Sequence, residues 1–225
     1  MRRISALLLA LMLLVMPLCA DDALADVYFS CKRDDKRIAL TFDDGPHYKY
    51  TAEILDILTE NEVRATFFVV GSLAEKYPEL ILRELSEGHE IASHTWSHPH
   101  LNMISKAALE NELTVTEEFL YELAEYRPRL FRPPEGKCPE NVLRVAGEMD
   151  YEVILWTVDT RDWAHTPTDV IVQTVLEGTE SGSIILCHDF VGGDSPTPDA
   201  LRKFIPELKR NGYKFVTVSE LLYED

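Results

Sequence analysis

The sequence predicts an α/β fold, and three observations carry that expectation. After residue 36, short runs rich in β-branched and aromatic residues alternate with stretches whose apolar positions recur at helical spacing. Roughly six or seven such runs, separated by helix patterns, fit a layered sheet, built either as a barrel or as a doubly wound sheet. Residues able to ligate metals or move protons fall at or just after these runs: Asp43, Asp44, His94, Arg132, Asp162 and His188. In parallel α/β folds the carboxyl ends of the strands gather on one face, and that face holds the site.

In chain order, residues 37–42 form the first strand candidate. Residues 51–60 then place Ile54, Leu55 and Leu58 on one helical face. Residues 65–70 read as a buried strand, 74–87 as one helix stopped by Gly88, and 90–92 as a short strand entering a histidine pair. The longest helix candidate spans 106–125, with Ser105 as its N-cap. Leu130 and Phe131 make a strand stub before the Pro133-Pro134 break, and 139–148 is helical. Strands over 152–156 and 183–187 flank a helix over 169–177. A helix over 201–210, ended by Gly212, precedes a last strand over 214–218. No repeat, low-complexity tract or linker marks a second domain.

The amino terminus reads as an export signal. Arg2 and Arg3 precede an uncharged apolar stretch over 4–18, and Ala23-Leu24-Ala25 supplies a small-x-small cleavage site. That stretch is short for a bilayer span, which takes roughly 20 residues, although an uncleaved anchor is the competing reading. Cleavage divides the chain into a signal peptide, 1–25, and one domain, 26–225. The domain is secreted or extracytoplasmic, with no stable membrane insertion. The cut removes two arginines and two aspartates, so the net charge of −17 is unchanged. Such an acidic surface argues against nucleic acid and anionic membranes as partners; nothing in the sequence sets an oligomeric state. Of the remaining cysteines, Cys187 lies in an apolar run and reads as a buried free thiol, while Cys31 and Cys138 could pair in an oxidising compartment.

Two motifs carry the chemistry. In Thr41-Phe42-Asp43-Asp44-Gly45-Pro46, neighbouring carboxylates repel and need donors or a cation nearby. In His94-Thr95-Trp96-Ser97-His98, two imidazoles four residues apart can meet one cation. Alone, the first could be a turn and the second a pair of exposed imidazoles. Together they supply one carboxylate and two imidazoles to a divalent metal and leave one acid as a general base. Zinc is the default for that donor set, with cobalt or manganese also fitting. His100, beyond Pro99, reads as a rim residue and not a ligand.

Further along, Arg132-Pro133-Pro134-Glu135-Gly136 is either a rigid loop with a surface arginine or a loop whose arginine orients a catalytic acid. In the second case a backbone N–H beyond the prolines faces an oxyanion. The loop from Asp159 to Trp163 explains its acids as solvated but not its tryptophan, and His188 ends an apolar strand.

These segments, in this order, resemble the polysaccharide deacetylases, carbohydrate esterase family 4, over about residues 37–222. The resemblance implies a distorted (β/α) barrel of about seven parallel strands in a single domain, and it implies roles. Asp43 is the base, Asp44, His94 and His98 are the metal ligands, and Arg132 holds the base. The backbone N–H of Glu135 is the oxyanion donor, and Asp162 tunes His188, the acid. Trp163 and Leu186 line the acetyl pocket. The implied reaction is metal-dependent removal of N-acetyl groups from an acetylated glycan, peptidoglycan or chitin-like, with release of acetate.

One departure is Glu135, where the family commonly has tyrosine; its charge beside the substrate favours sugars bearing a free ammonium or disfavours acidic ones. Three other readings remain. O-deacetylation of xylan uses the same site, and a non-catalytic glycan-binding barrel keeps only the fold. An iron oxygenase leaves Asp43, Arg132 and His188 without duties. No Gly-x-Ser-x-Gly elbow supports a serine hydrolase.

Overall fold

The computed structural model describes residues 24–224. Its strands are β1 (Val27–Tyr28), β2 (Arg37–Asp43), β3 (Thr66–Val69), β4 (Glu90–Ser93), β5 (Leu130–Phe131), β6 (Glu152–Ile154), β7 (Val158–Asp159), β8 (Ile184–His188) and β9 (Lys214–Val216). They form one sheet in the order β1-β6-β5-β4-β3-β2-β8-β7, with β9 also on β2 and every strand pairing parallel. Helices separate most of the strands, as the alternating pattern requires. The result is the distorted barrel in one domain, with nine strands among the described residues instead of about seven.

The barrel is left open between β1 and β7. The chain crosses the gap at 155–157, where the Leu155 N–H donates to the Tyr28 carbonyl (2.7 Å) and the Thr157 N–H to the Ile184 carbonyl (3.0 Å).

Strand alternation sorts the core and aims the site. On β2, Ile38, Leu40 and Phe42 join a buried layer with Phe67, Phe204 and Leu208, under the helices Tyr50–Glu60 and Thr197–Arg210. Ala39 turns the other way, into an interior shared with Phe68, Ala92, Leu130, Ile154 and Ile184. Thr41 and Asp43 follow Ala39 at period two, so Asp43 points into the carboxyl mouth of the barrel. The helix Val218–Tyr223 closes the interior with Val218 and Leu221.

Some elements differ from the sequence expectation. The helix expected over 74–87 is two, Gly71–Lys76 and Pro78–Ser86, because Pro78 has no N–H to continue the first and sits readily at the start of the second. The last strand stops at Val216. Thr217 then caps a helix, its side chain accepting from the Glu220 N–H while the Glu220 carboxylate accepts from the Thr217 N–H. Ser105 caps the longest helix, Lys106–Ala124, as expected.

The possible Cys31–Cys138 bridge is not formed, and both thiols are free and half-buried. Cys31 is bonded to Gly182 near the start of β8, whereas Cys138 follows the end of β5, so they lie toward opposite ends of the barrel. Cys187 is buried and free. The export segment lies outside the described residues except for Leu24 and Ala25. Among the described residues no helix is long and apolar enough to cross a membrane.

Candidate active site

Three donors converge where β2 and β4 end. Asp44 follows β2 with a left-handed backbone (φ 74°), and His94 follows β4. Thr95 (φ 70°) and His98 (φ 54°) bend the next turn so that both imidazoles face Asp44. Glu112, on the longest helix, holds that turn by accepting from the N–H groups of Trp96 (2.9 Å) and Ser97 (2.8 Å) and from the Ser97 hydroxyl (2.8 Å). Beneath it Trp96 packs on Gly71, where a Cβ would stand 2.5 Å from the indole.

Asp44 Oδ1 lies 3.4 Å from His94 Nε2 and 3.2 Å from His98 Nε2. The three donor atoms fall within 4.8 Å of one another. His94 Nδ1 is 2.6 Å from the Arg132 carbonyl, which can only accept, so the proton sits on Nδ1 and the Nε2 lone pair faces Asp44. Asp44 Oδ1 is buried without a hydrogen-bond partner. Burial raises the Asp44 pKa, and only protonated imidazoles at His94 and His98, or a cation in the place of their protons, hold the carboxyl well below its usual range. A buried anionic oxygen facing an imidazole lone pair calls for a cation, and this donor set fits a divalent one.

Asp43 has a different partner. Arg132 Nη1 lies 2.7 Å from Asp43 Oδ1, leaving Oδ2 3.9 Å from His94 Nε2. Arg132 is fully buried and spends its other donors on the carbonyls of Ile154 (3.0 Å) and Leu155 (3.2 Å) and the Thr41 hydroxyl (2.8 Å). Its guanidinium carbon sits 3.9 Å from the centre of the Phe68 ring.

On the other flank His188 ends β8, in register with Asp43. Its Nδ1 is 2.7 Å from Asp162 Oδ1. Asp162 Oδ2 accepts from the His188 N–H (2.8 Å) and the Thr197 hydroxyl (2.6 Å), and Oδ1 accepts from the Trp163 N–H (3.0 Å). Burial pulls the imidazole down, but the Asp162 hydrogen bond and charge more than reverse this, raising His188 to about 9. For Asp162, burial raises the carboxyl and the His188 contacts bring it below its ordinary value.

A cavity of about 540 Å³ opens over these groups. Its walls include Asp43, Asp44, His94, His98, Glu135, Trp163, Leu186 and His188, while Arg132 and Asp162 stand buried behind it. All the site residues read from the sequence therefore meet at one mouth. Glu135 takes a left-handed backbone (φ 58°) inside the turn Pro134–Gly136. His100 is at the rim as expected, exposed and 2.7 Å from Glu135.

Sequence reasoning missed Gly136, Lys137, Trp156 and Asp159 in the cavity wall, and Glu112 and Thr197 behind it. Trp156 gave one signal, an indole as the last residue of the strand expected over 152–156. Glu112 gave none, being one acid among several on a helix.

A cation site, a spare ion-paired acid and a buried His–Asp pair at the mouth of an α/β barrel define an acid–base hydrolase. The polysaccharide deacetylase family model matches residues 31–154. A peptidoglycan-N-acetylglucosamine deacetylase from Bacillus cereus is 43% identical over 194 residues, covering 86% of this chain and 70% of the relative. The crystal structure of the Bc1960 peptidoglycan N-acetylglucosamine deacetylase superposes with a TM-score of 0.85 at 41% identity, covering 90% of this chain and 94% of that one. A family 4 acetyl xylan esterase from Clostridium thermocellum, in complex with a cobalt ion, gives a TM-score of 0.77 at 35% identity, covering 83% of this chain and 90% of that one. The chain belongs to the polysaccharide deacetylase family.

Proposed function

We propose that the protein is a zinc-dependent deacetylase that hydrolyses N-acetyl groups on peptidoglycan or a chitin-like glycan, releasing acetate. It works outside the cytoplasm after residues 1–25 direct export and are removed. The observation that carries this reading is Asp43. It stands beside a three-donor cation site without belonging to it, bridged to a buried arginine at 2.7 Å.

Asp44, His94 and His98 would hold a divalent cation, which would supply Lewis acidity toward the acetyl carbonyl and the attacking water. Asp43 takes a proton from the attacking water, with Arg132 fixing its carboxylate and compensating its charge. The backbone N–H of Glu135 donates to the oxyanion as it forms, a contribution of about 3 kcal/mol for one well-placed donor. His188 gives its proton to the departing nitrogen; without it the tetrahedral species would collapse back to the amide. Trp163 and Leu186 enclose the acetyl methyl.

An O-acetyl ester on xylan is the second reading, since it reacts at the same groups with less need of an acid. The pairing of His188 with a buried Asp162 favours the amide, because it keeps the imidazolium populated to about pH 9. Acetate release from acetylated chito-oligomers and from peptidoglycan, compared with acetylated xylan and with Asp43→Asn, tests this. Asp43→Asn should lose activity and keep its metal. No acetate from any glycan, or near-normal turnover by Asp43→Asn, overturns the reading.

A further inference from the structure

The turn between the two imidazole ligands is gripped from two sides. Its Thr95 and Trp96 carbonyls accept, at 2.9 Å each, from the N–H groups of Gly71 and Ser72, where the helix Gly71–Lys76 begins. Its Trp96 and Ser97 N–H groups donate to Oε2 of Glu112, and the Ser97 hydroxyl donates to Oε1. Glu112 comes from the helix Lys106–Ala124, well along the chain. The turn needs this grip. Thr95 (φ 70°) and His98 (φ 54°) are left-handed, a conformation unfavourable above all for a β-branched residue.

The two ligands are not held alike. His94 is gripped through its ring, since Nδ1 meets the Arg132 carbonyl at 2.6 Å and this fixes the direction of Nε2. The His98 ring is partly exposed, and among the described residues its hydrogen-bond partner on another residue is Asp44 alone. Its N–H is tied to the Thr95 hydroxyl at 3.1 Å, within the same turn. The direction of this imidazole is therefore set through its backbone, and so through the contacts that shape the turn.

We infer that Glu112 is a positioning residue for the cation site, setting how tightly the divalent metal is held by fixing the turn that aims His98. The inference rests on the cation site of the deacetylase reading. Its reach matters and its charge does not. Both backbone N–H groups converge on one oxygen, Oε2, so a side chain that places an accepting oxygen there keeps the turn. Glutamine does this: its amide oxygen takes the two N–H groups, and its NH2 faces the Ser97 hydroxyl, which accepts as well as donates. Aspartate keeps the charge but draws its oxygens back toward the helix by one methylene. The two substitutions therefore pull apart charge and position at a single site.

The test is zinc affinity, measured on the full chain stripped of metal and titrated in competition with a chromophoric chelator. It compares the natural protein with Glu112→Gln, Glu112→Asp and Ser97→Ala. Glu112→Gln should stay within about threefold of the natural protein, while Glu112→Asp should bind zinc about 10–100-fold more weakly, the range for losing a group that orients a ligand. Ser97→Ala should weaken zinc by about fivefold, the worth of one hydrogen bond. Urea midpoints of the metal-free proteins are measured alongside, because a contact that only supports the fold lowers the midpoint and leaves the zinc affinity of the folded protein alone. A Glu112→Asp protein that binds zinc as the natural one does overturns the proposal. So does a Glu112→Gln protein that loses as much as Glu112→Asp, since charge would then be the cause. If Glu112→Asp does not fold, Ser97→Ala decides, and unaltered affinity there overturns the role while leaving the cation site standing. No zinc binding by the natural protein overturns the cation site itself, and the positioning role with it.

Discussion

Arg132 and Asp43 meet across the barrel mouth with both side chains buried, Nη1 2.7 Å from Oδ1, although they are carried by strands β5 and β2 that share no edge. The bridge joins one edge of the cation site to the loop that carries Glu135. A buried pair of this kind adds little net stability, but removing one partner strands the other charge in a low-dielectric interior.

Arg132→Met should therefore lower the unfolding free energy by about 3–5 kcal/mol at neutral pH. Adding Asp43→Asn to that variant should recover part of the loss, because no charge is then stranded. Urea midpoints for the two single variants and the double variant measure this. A double variant no more stable than Arg132→Met would show that the bridge is not the source.

The His188–Asp162 pair sets a pH window. His188 is raised to about 9 in the folded protein from about 6.5 unfolded. Its stabilisation is complete below the unfolded value and is lost as pH climbs through 9. Asp162 is lowered, so its share is present above about 3.9 and is lost as pH falls through its folded value. Both contributions are in full force between about pH 4 and 6.5. Asp162→Asn removes the largest contributions that oppose burial, leaving only the Asp43 and Asp44 charges, and should bring His188 well down toward its unfolded value, an NMR imidazole titration on metal-free protein being the check. The alkaline limb of kcat should move toward acid with it.

How far the sequence reveals this site depends on the range of the interaction involved. The strand-end chemistry was readable because period two along β2 puts Asp43 on the face of Ala39 and Thr41, and the histidine pair carries its own spacing. Strands β1 and β7 were not readable, since neither Val27-Tyr28 nor Val158-Asp159 carries a period or the double-proline break that marks the equally short β5. Trp156 escaped for a related reason. It lines the cavity from the segment 155–157, which spans the gap left between β1 and β7. The Thr217–Glu220 capping box, by contrast, was legible in the sequence, but the preceding apolar run masked it. Glu112 and Thr197 act through contacts far along the chain, which no local pattern carries.

Chelation should abolish acetate release, with zinc restoring it and cobalt or manganese restoring part. Bound cation also stabilises the fold by mass action, by about 2.7 kcal/mol at a hundredfold excess over Kd. The melting temperature should rise on adding metal to the natural protein and stay flat in Asp44→Ala. Elemental analysis of both proteins completes the comparison. Equal metal content would contradict the assigned donors.

Glu135 and His100 meet at the surface, 2.7 Å apart, too exposed for the contact to screen the carboxylate from a substrate. Replacing Glu135 with tyrosine should therefore lower kcat/KM on partly deacetylated oligomers relative to fully acetylated ones. The backbone donor stays in place, so kcat on the acetylated series should hold. The difference should shrink as salt is added, since an exposed attraction is screened. Identical preference in the two proteins would remove the charge argument.

Glu84, on the helix Pro78–Ser86, is fully buried, and neither carboxylate oxygen has a hydrogen-bond partner among the described residues. Burial raises its pKa well above the usual range, and the nearby Asp189 charge adds to this. An acid raised in the folded state costs stability as pH climbs above its unfolded value of about 4.3. Glu84→Met keeps the length of the side chain and removes the unpaired oxygens. It should gain about 1–3 kcal/mol at pH 8, and the gain should shrink toward pH 4, where the carboxyl is neutral in the folded state and mostly neutral in the unfolded one. Urea denaturation at the two pH values measures the difference. A gain independent of pH would assign the effect to packing, and a loss at pH 8 would mean that the carboxylate has a partner worth keeping.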